Sequence, residues 1–209
     1  MRRLGGLLAA LACLTMTAAA CSADGVSTAA AGRATTSTAP QAPIAFTVTS
    51  ITVEATADPL PGTVEGARAG VESTLKLWLD EDVVGPLRSA QPAGDLRHVF
   101  SAATGERVAT TADRAAFVSD GLPPVTGITA ETATLVVVGL VDPDGQIPIV
   151  TVHLELKLKG QAAGSPLTVE HVGDVVLIPE GDRWRIDSYD VRATRDTPTA
   201  PATTTTAKS

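Results

Sequence analysis

From Val150 the chain alternates. Val150, Val152, Leu154, Leu156 and Leu158 take every second place, with Thr151, His153, Glu155, Lys157 and Lys159 between them. A period of two sends successive side chains to opposite faces, so the spacing predicts a strand with one apolar and one wet face. A second apolar run follows over residues 169–178, after a Gly/Ser/Pro loop expected at residues 160–166. Gly181 and Asp182 then read as a two-residue hairpin turn, with a returning strand from Arg183 to Val191. Two irregularities fall inside these strands. Gly173 predicts a bulge or sharp bend, and the change of parity between Ile186 and Tyr189 predicts a bulge at Asp187 and Ser188.

Upstream the period changes. Val64, Ala67, Val71, Leu75, Trp78 and Leu79 recur at helical spacing, predicting a long helix over residues 64–83 that Gly85 and Pro86 stop. Asp95 and Thr111 are N-cap residue types, predicting short helices that run to Phe100 and to Val118. Residues 45–55 read as a strand whose parity break calls for a bulge near Ser50. Residues 133–141, apolar on both parities, read as a central strand covered on both faces. Asp142, Pro143, Asp144 and Gly145 form a turn. Together these elements predict an α+β domain over residues 44–192, in which a curved antiparallel sheet wraps around a long N-terminal helix.

Composition adjusts this picture in three ways. Aromatic residues make up only 3 % of the chain, so Val, Leu, Ala and Ile must build the core. The only cysteines are Cys13 and Cys21, so no disulfide or thiolate metal site is expected in the domain. The formal charge is −7, which argues against nucleic acid as a partner.

The two ends are of another kind. Arg2 and Arg3, a short apolar run over residues 4–16 and three alanines at 18–20 have the layout of an export signal. The next residue, Cys21, completes a stretch that resembles the lipobox of bacterial lipoproteins, although Ala18 stands where leucine is usual. The resemblance implies a diacylglycerol on the Cys21 thiol, hence attachment to the extracytoplasmic face of the cell membrane. Residues 22–43 are a low-complexity tether expected to be disordered, and the Thr/Pro/Ala-rich residues 193–209 are expected to be a second disordered tail.

A long helix, short helices and a bent sheet ending in Gly181, Trp184, Ile186 and Tyr189 also resemble the cone-shaped nuclear transport factor 2-like superfamily. Its members include ketosteroid isomerase-like and SnoaL-like enzymes. The resemblance covers about residues 62–191, and it implies that any active group lies inside the cone.

Candidate chemistry is sparse. No phosphate-binding loop, Gly-x-Ser-x-Gly elbow, paired cysteines or His-Glu-x-x-His motif is present, so no catalytic residue, cofactor or metal is assigned. His98 reads as a satisfied edge residue. His171 falls on the inward parity, so Trp78, His171 and Trp184 are the candidate pocket residues. Trp184 is expected under the long helix, against Val71, Leu75 or Trp78. The polar row Thr151, His153, Glu155 and Lys157 is the candidate interaction surface. The resulting expectation is a lipid-anchored envelope protein with a non-enzymatic docking or accessory role, its partner a second copy or another envelope protein. The alternative is a small apolar ligand binder or isomerase-like enzyme with its pocket inside the cone.

Overall fold

In the computed structural model, residues 42–197 and 200–209 are described. Cys21, the export signal and all but the last two residues of the expected tether lie outside them. The domain is α+β, with a helix of 27 residues and a curved six-stranded sheet. The strands are β1 (Thr47–Ala55), β2 (Val125–Val141), β3 (Ile149–Ala162), β4 (Ser165–Glu180), β5 (Arg183–Thr197) and β6 (Ala200–Lys208), in that spatial order. Strands β2 to β6 form an antiparallel meander. Strand β1 pairs parallel to β2, so the sheet is mixed rather than wholly antiparallel. A parallel pair needs a long crossover, and residues 56–124, which carry all the helices among the described residues, supply it.

The alternation on β3 translates directly into burial. Val150, Val152, Leu154, Leu156 and Leu158 are buried, and the polar residues between them face outward. The bulges expected near Ser50 and at Asp187 are present. The β1 register shifts between Val48 and Ser50, and Asp187 is the extra residue in β5, so Ile186 and Tyr189 are both buried despite their parity. Gly173 stays in register but lies so close to β5 that a Cβ there would stand 2.1 Å from the Asp190 carbonyl oxygen. The Gly181 and Asp182 turn joins β4 to β5 as expected. At the other end of β4 the expected loop is replaced by a two-residue turn, with positive φ at both Ala163 (49°) and Gly164 (81°). Those angles match the twist of the flanking strands.

Helix α1 (Thr63–Trp78) buries Ala67, Val71, Leu75 and Trp78. It does not stop at Gly85. A π-helical turn (Leu79–Val84) leads into α2 (Gly85–Ser89), and the Gly85 N–H bonds back to the Asp80 carbonyl, five residues earlier. Pro86 then occupies the first turn of α2, where a missing N–H costs nothing. Asp95 and Thr111 do cap, accepting from the Arg97 and Asp113 N–H groups, but each starts only a 3₁₀ segment, Leu96–His98 and Ala112–Ala116. Between them lies α3 (Ala102–Thr110), which the pattern did not reveal. It is tied to the β5 bulge: Ser101 Oγ donates to Asp187 Oδ1 at 2.8 Å and Thr104 Oγ1 to the Asp187 carbonyl at 2.6 Å.

Two further expectations are corrected. Residues 133–141 are not covered on both faces, for Val136 and Leu140 are 38 % and 44 % exposed on the outer side. The expected C-terminal tail is sheet: β5 continues to Thr197, and β6 pairs along it. Short side chains did not prevent burial, because alternation places Ala193 and Ala207 inward while threonine suits an extended backbone. The Ser209 N–H donates to the Tyr189 carbonyl and closes the last pairing.

Candidate functional site

The outer sheet face carries the expected polar row. Thr151 and Glu155 are exposed, and His153 and Lys157 are half-buried among their neighbours. His153 Nδ1 lies 2.9 Å from Asp174 Oδ1, directly across on β4, and its Nε2 is 3.6 Å from Glu155 Oε1. On the β2 side His153 is opposite Val136. Glu131 bridges Lys157 (3.1 Å) and Lys159 (2.9 Å), and the hydrogen bonds from Lys159 and then Lys157 hold its carboxyl below the usual range. Exposed pairs of this kind contribute little stability.

The three candidate pocket residues do not meet in one place. Trp78 and His171 touch edge to face, with ring centroids 5.4 Å apart, and both are core residues. Trp78 Nε1 donates to the Phe117 carbonyl at 2.8 Å, and His171 Nδ1 to the Ala116 carbonyl at 3.0 Å. A carbonyl only accepts, so Nδ1 carries the hydrogen. Burial pushes the His171 pKa down to about 4, against the Ala116 hydrogen bond and with help from Arg195, so the ring is a neutral structural group. Trp184 is elsewhere and only half-buried. Its indole lies on Gly70 of α1, and its carbonyl accepts from Thr74 Oγ1 at 2.6 Å. It does not take the fully buried place expected for it.

Trp184 lines a cleft of about 360 Å³ between α1 and the β4–β5 turn. Gly70, Thr74 and Leu77 contribute from the helix, Arg183 and Arg185 from β5, and His98 from the 3₁₀ segment. His98 leads to the most unusual group in the domain. Asp82, on the π-helical turn, is fully buried, and neither carboxyl oxygen has a hydrogen-bond partner. His98 Nε2 lies 3.1 Å from Asp82 Oδ2 and 3.6 Å from Glu81 Oε2, but it too lacks an aligned hydrogen bond. Burial raises the Asp82 pKa to about 6. His98 and Arg114 act to lower it, and Glu81 and Asp120 add to the rise. Sequence reasoning missed this pair, although a signal existed: Asp82 continues the buried series Val71, Leu75, Trp78 at spacings of four, three and four.

Among the described residues no group of three or more His, Cys, Asp or Glu is arranged to hold a metal ion, and no helix is long and apolar enough to cross a membrane. The chain matches no family model, no curated protein and no solved structure.

Proposed function

We propose that this chain is a lipid-anchored protein of the extracytoplasmic membrane face, attached through Cys21, that works without catalysis by self-association through the outer face of its sheet. The observation that carries the docking part is the outer face of β2 and β3. There Val136 is exposed opposite His153 and Leu140 opposite Ile149, on the face that carries Glu155, Lys157 and Lys159 further along β3. Both signs of charge lie within a few residues on one surface, with Asp174 and Glu131 among them. Such a face can complement itself about a two-fold axis, which favours a second copy as the occupant. The long helix against a curved sheet, bent at the Asp187 bulge, supports the cone of the nuclear transport factor 2-like superfamily as the architecture.

Two measurements test this reading. Cys21→Ala should move the protein from the detergent phase to the aqueous phase when expressed in an exporting bacterial host, and retention in the detergent phase refutes the anchor. Sedimentation of the protein in detergent should give a dimer. A strict monomer at tens of micromolar refutes self-association, and a stoichiometric co-purifying protein would transfer the face to a different partner.

The cleft supports a second reading, a small-ligand binder. Its half-buried indole and two arginines suit a planar anionic molecule rather than the apolar ligand first expected inside the cone. Native mass spectrometry reports bound ligand and subunit number together and separates the two readings.

A further inference from the structure

The His98 ring is anchored at one nitrogen. Nδ1 faces the Asp95 carbonyl oxygen, which only accepts, so Nδ1 carries a hydrogen and Nε2 is a lone pair whenever the ring is neutral. Nε2 then confronts an ionised Asp82 with two acceptors 3.1 Å apart, which explains why the groups are within reach but out of line. A single proton placed between them turns this opposition into a charge-assisted hydrogen bond.

We propose that Asp82 and His98 share one proton and form an acid-operated latch between the π-helical turn and the 3₁₀ segment, on the wall of the Trp184 cleft. Without the proton the two acceptors hold apart. With it, the imidazole pivots about its Nδ1 anchor into line with Asp82 Oδ2 and withdraws from the cleft. The charges around the latch set its working range. Glu81, next to Asp82, is 3.6 Å from Nε2 and also attracts the proton. Arg114, from the Ala112–Ala116 segment, favours the ionised carboxylate, and Asp120, following Ser119, opposes it. From β5 Arg185 holds the His98 carbonyl oxygen, so the ring moves while its backbone stays in place. Asp182 and Arg183 line the same cleft. Two features make a latch more apt than a passive contact. π-helical turns of this kind are often found at functional positions, and the carboxyl group this one buries has no donor of its own. The latch does not depend on self-association or on the lipid anchor.

The chain has two tryptophans, so its two indole N–H signals can be followed separately by NMR in ¹⁵N-labelled protein, together with the His98 ring nitrogens. Between pH 4.5 and 8 the Trp184 indole should move in one step near pH 6, where Asp82 changes charge, while the Trp78 indole stays still. Asp82→Asn should remove the step from Trp184. His98→Gln, which leaves the buried carboxyl in place, should also abolish the Trp184 step. Glu81→Gln should keep it. A Trp184 signal that ignores pH in the wild type overturns the latch, as does a step that survives Asp82→Asn or His98→Gln. Loss of the step in Glu81→Gln overturns the assignment to Asp82.

Discussion

The indole of Trp184 occupies the space that a side chain at residue 70 would need: a Cβ on Gly70 would stand 2.0 Å from Trp184 Cδ1. Four residues earlier in the same helix, a Cβ on Gly66 would meet nothing within 4 Å. The two glycines therefore predict opposite outcomes for one substitution. Gly66→Ala should stabilise the protein by about 0.5–1 kcal/mol through helix propensity alone. Gly70→Ala gains the same propensity but must displace the indole, and overpacking of this kind costs about 1–3 kcal/mol, so it should destabilise. Urea unfolding midpoints compare the two directly. Trp184→Ala should cost about 2 kcal/mol, less than a fully buried tryptophan because the ring is partly exposed.

Asp82 and His171 act in opposite directions in acid. The folded pKa of Asp82, about 6, exceeds its ordinary 3.8, so its contribution is fully present below pH 3.8 and is lost as pH rises through 6. His171 is depressed to about 4 from 6.5, so its contribution is present above pH 6.5 and is lost as pH falls through 4. Each displacement is worth on the order of 3 kcal/mol, and the two windows overlap. Between pH 4 and 6.5 they should largely cancel in the wild type. Asp82→Asn should therefore lose stability on acidification through this range, and His171→Leu should gain it. The slope of urea-unfolding free energy against pH checks both signs.

Leu140→Lys and Val136→Lys should leave folding within about 0.5 kcal/mol of the wild type, since both side chains are already exposed. If the outer face self-associates, the same variants should weaken the dimer at least about tenfold, equivalent to about 1.4 kcal/mol. Sedimentation equilibrium reads the association and urea melts read the folding.

Deleting residues 200–209 tests whether the last strand belongs to the domain. It removes the β5 pairing partner, the buried Ala207 and both hydrogen bonds between Ser209 and Tyr189. At about 0.5–1.5 kcal/mol per hydrogen bond, the loss should exceed about 1 kcal/mol, whereas an inert tail would cost nothing.

What the sequence made legible follows the range of the forces involved. The β3 alternation, the Gly181 turn, the Asp187 bulge and the α1 stripe are local patterns, and each appears where periodicity puts it. The π-helical turn at 79–84 was hidden because apolar spacing continues unbroken through it, while Pro86 read as a stop. The low-complexity character of residues 193–209 masked a strand whose stability comes from a neighbour rather than from its own side chains. The candidate site was least legible. The Thr151 to Lys157 row was read correctly as an outward face, but Asp82 and His98 meet only through tertiary packing. The Trp184 cleft depends on the absence of a side chain at Gly70, which no propensity encodes as a site.

The parallel pairing of β1 has a kinetic consequence. Every other strand pairs with a neighbour joined to it by a turn, so β2 to β6 can zip in sequence with small loops to close. Thr47 must find Thr134 across the whole helical segment, the costliest closure in the sheet. The first described strand should thus be the last to be seated. Substitutions in β1, such as Val53→Ala, should speed unfolding and leave the refolding rate nearly unchanged in stopped-flow measurements. Until β1 docks, the edge of β2 remains open as a pairing template during maturation, on the strand whose Val136 and Leu140 stay exposed even in the complete sheet.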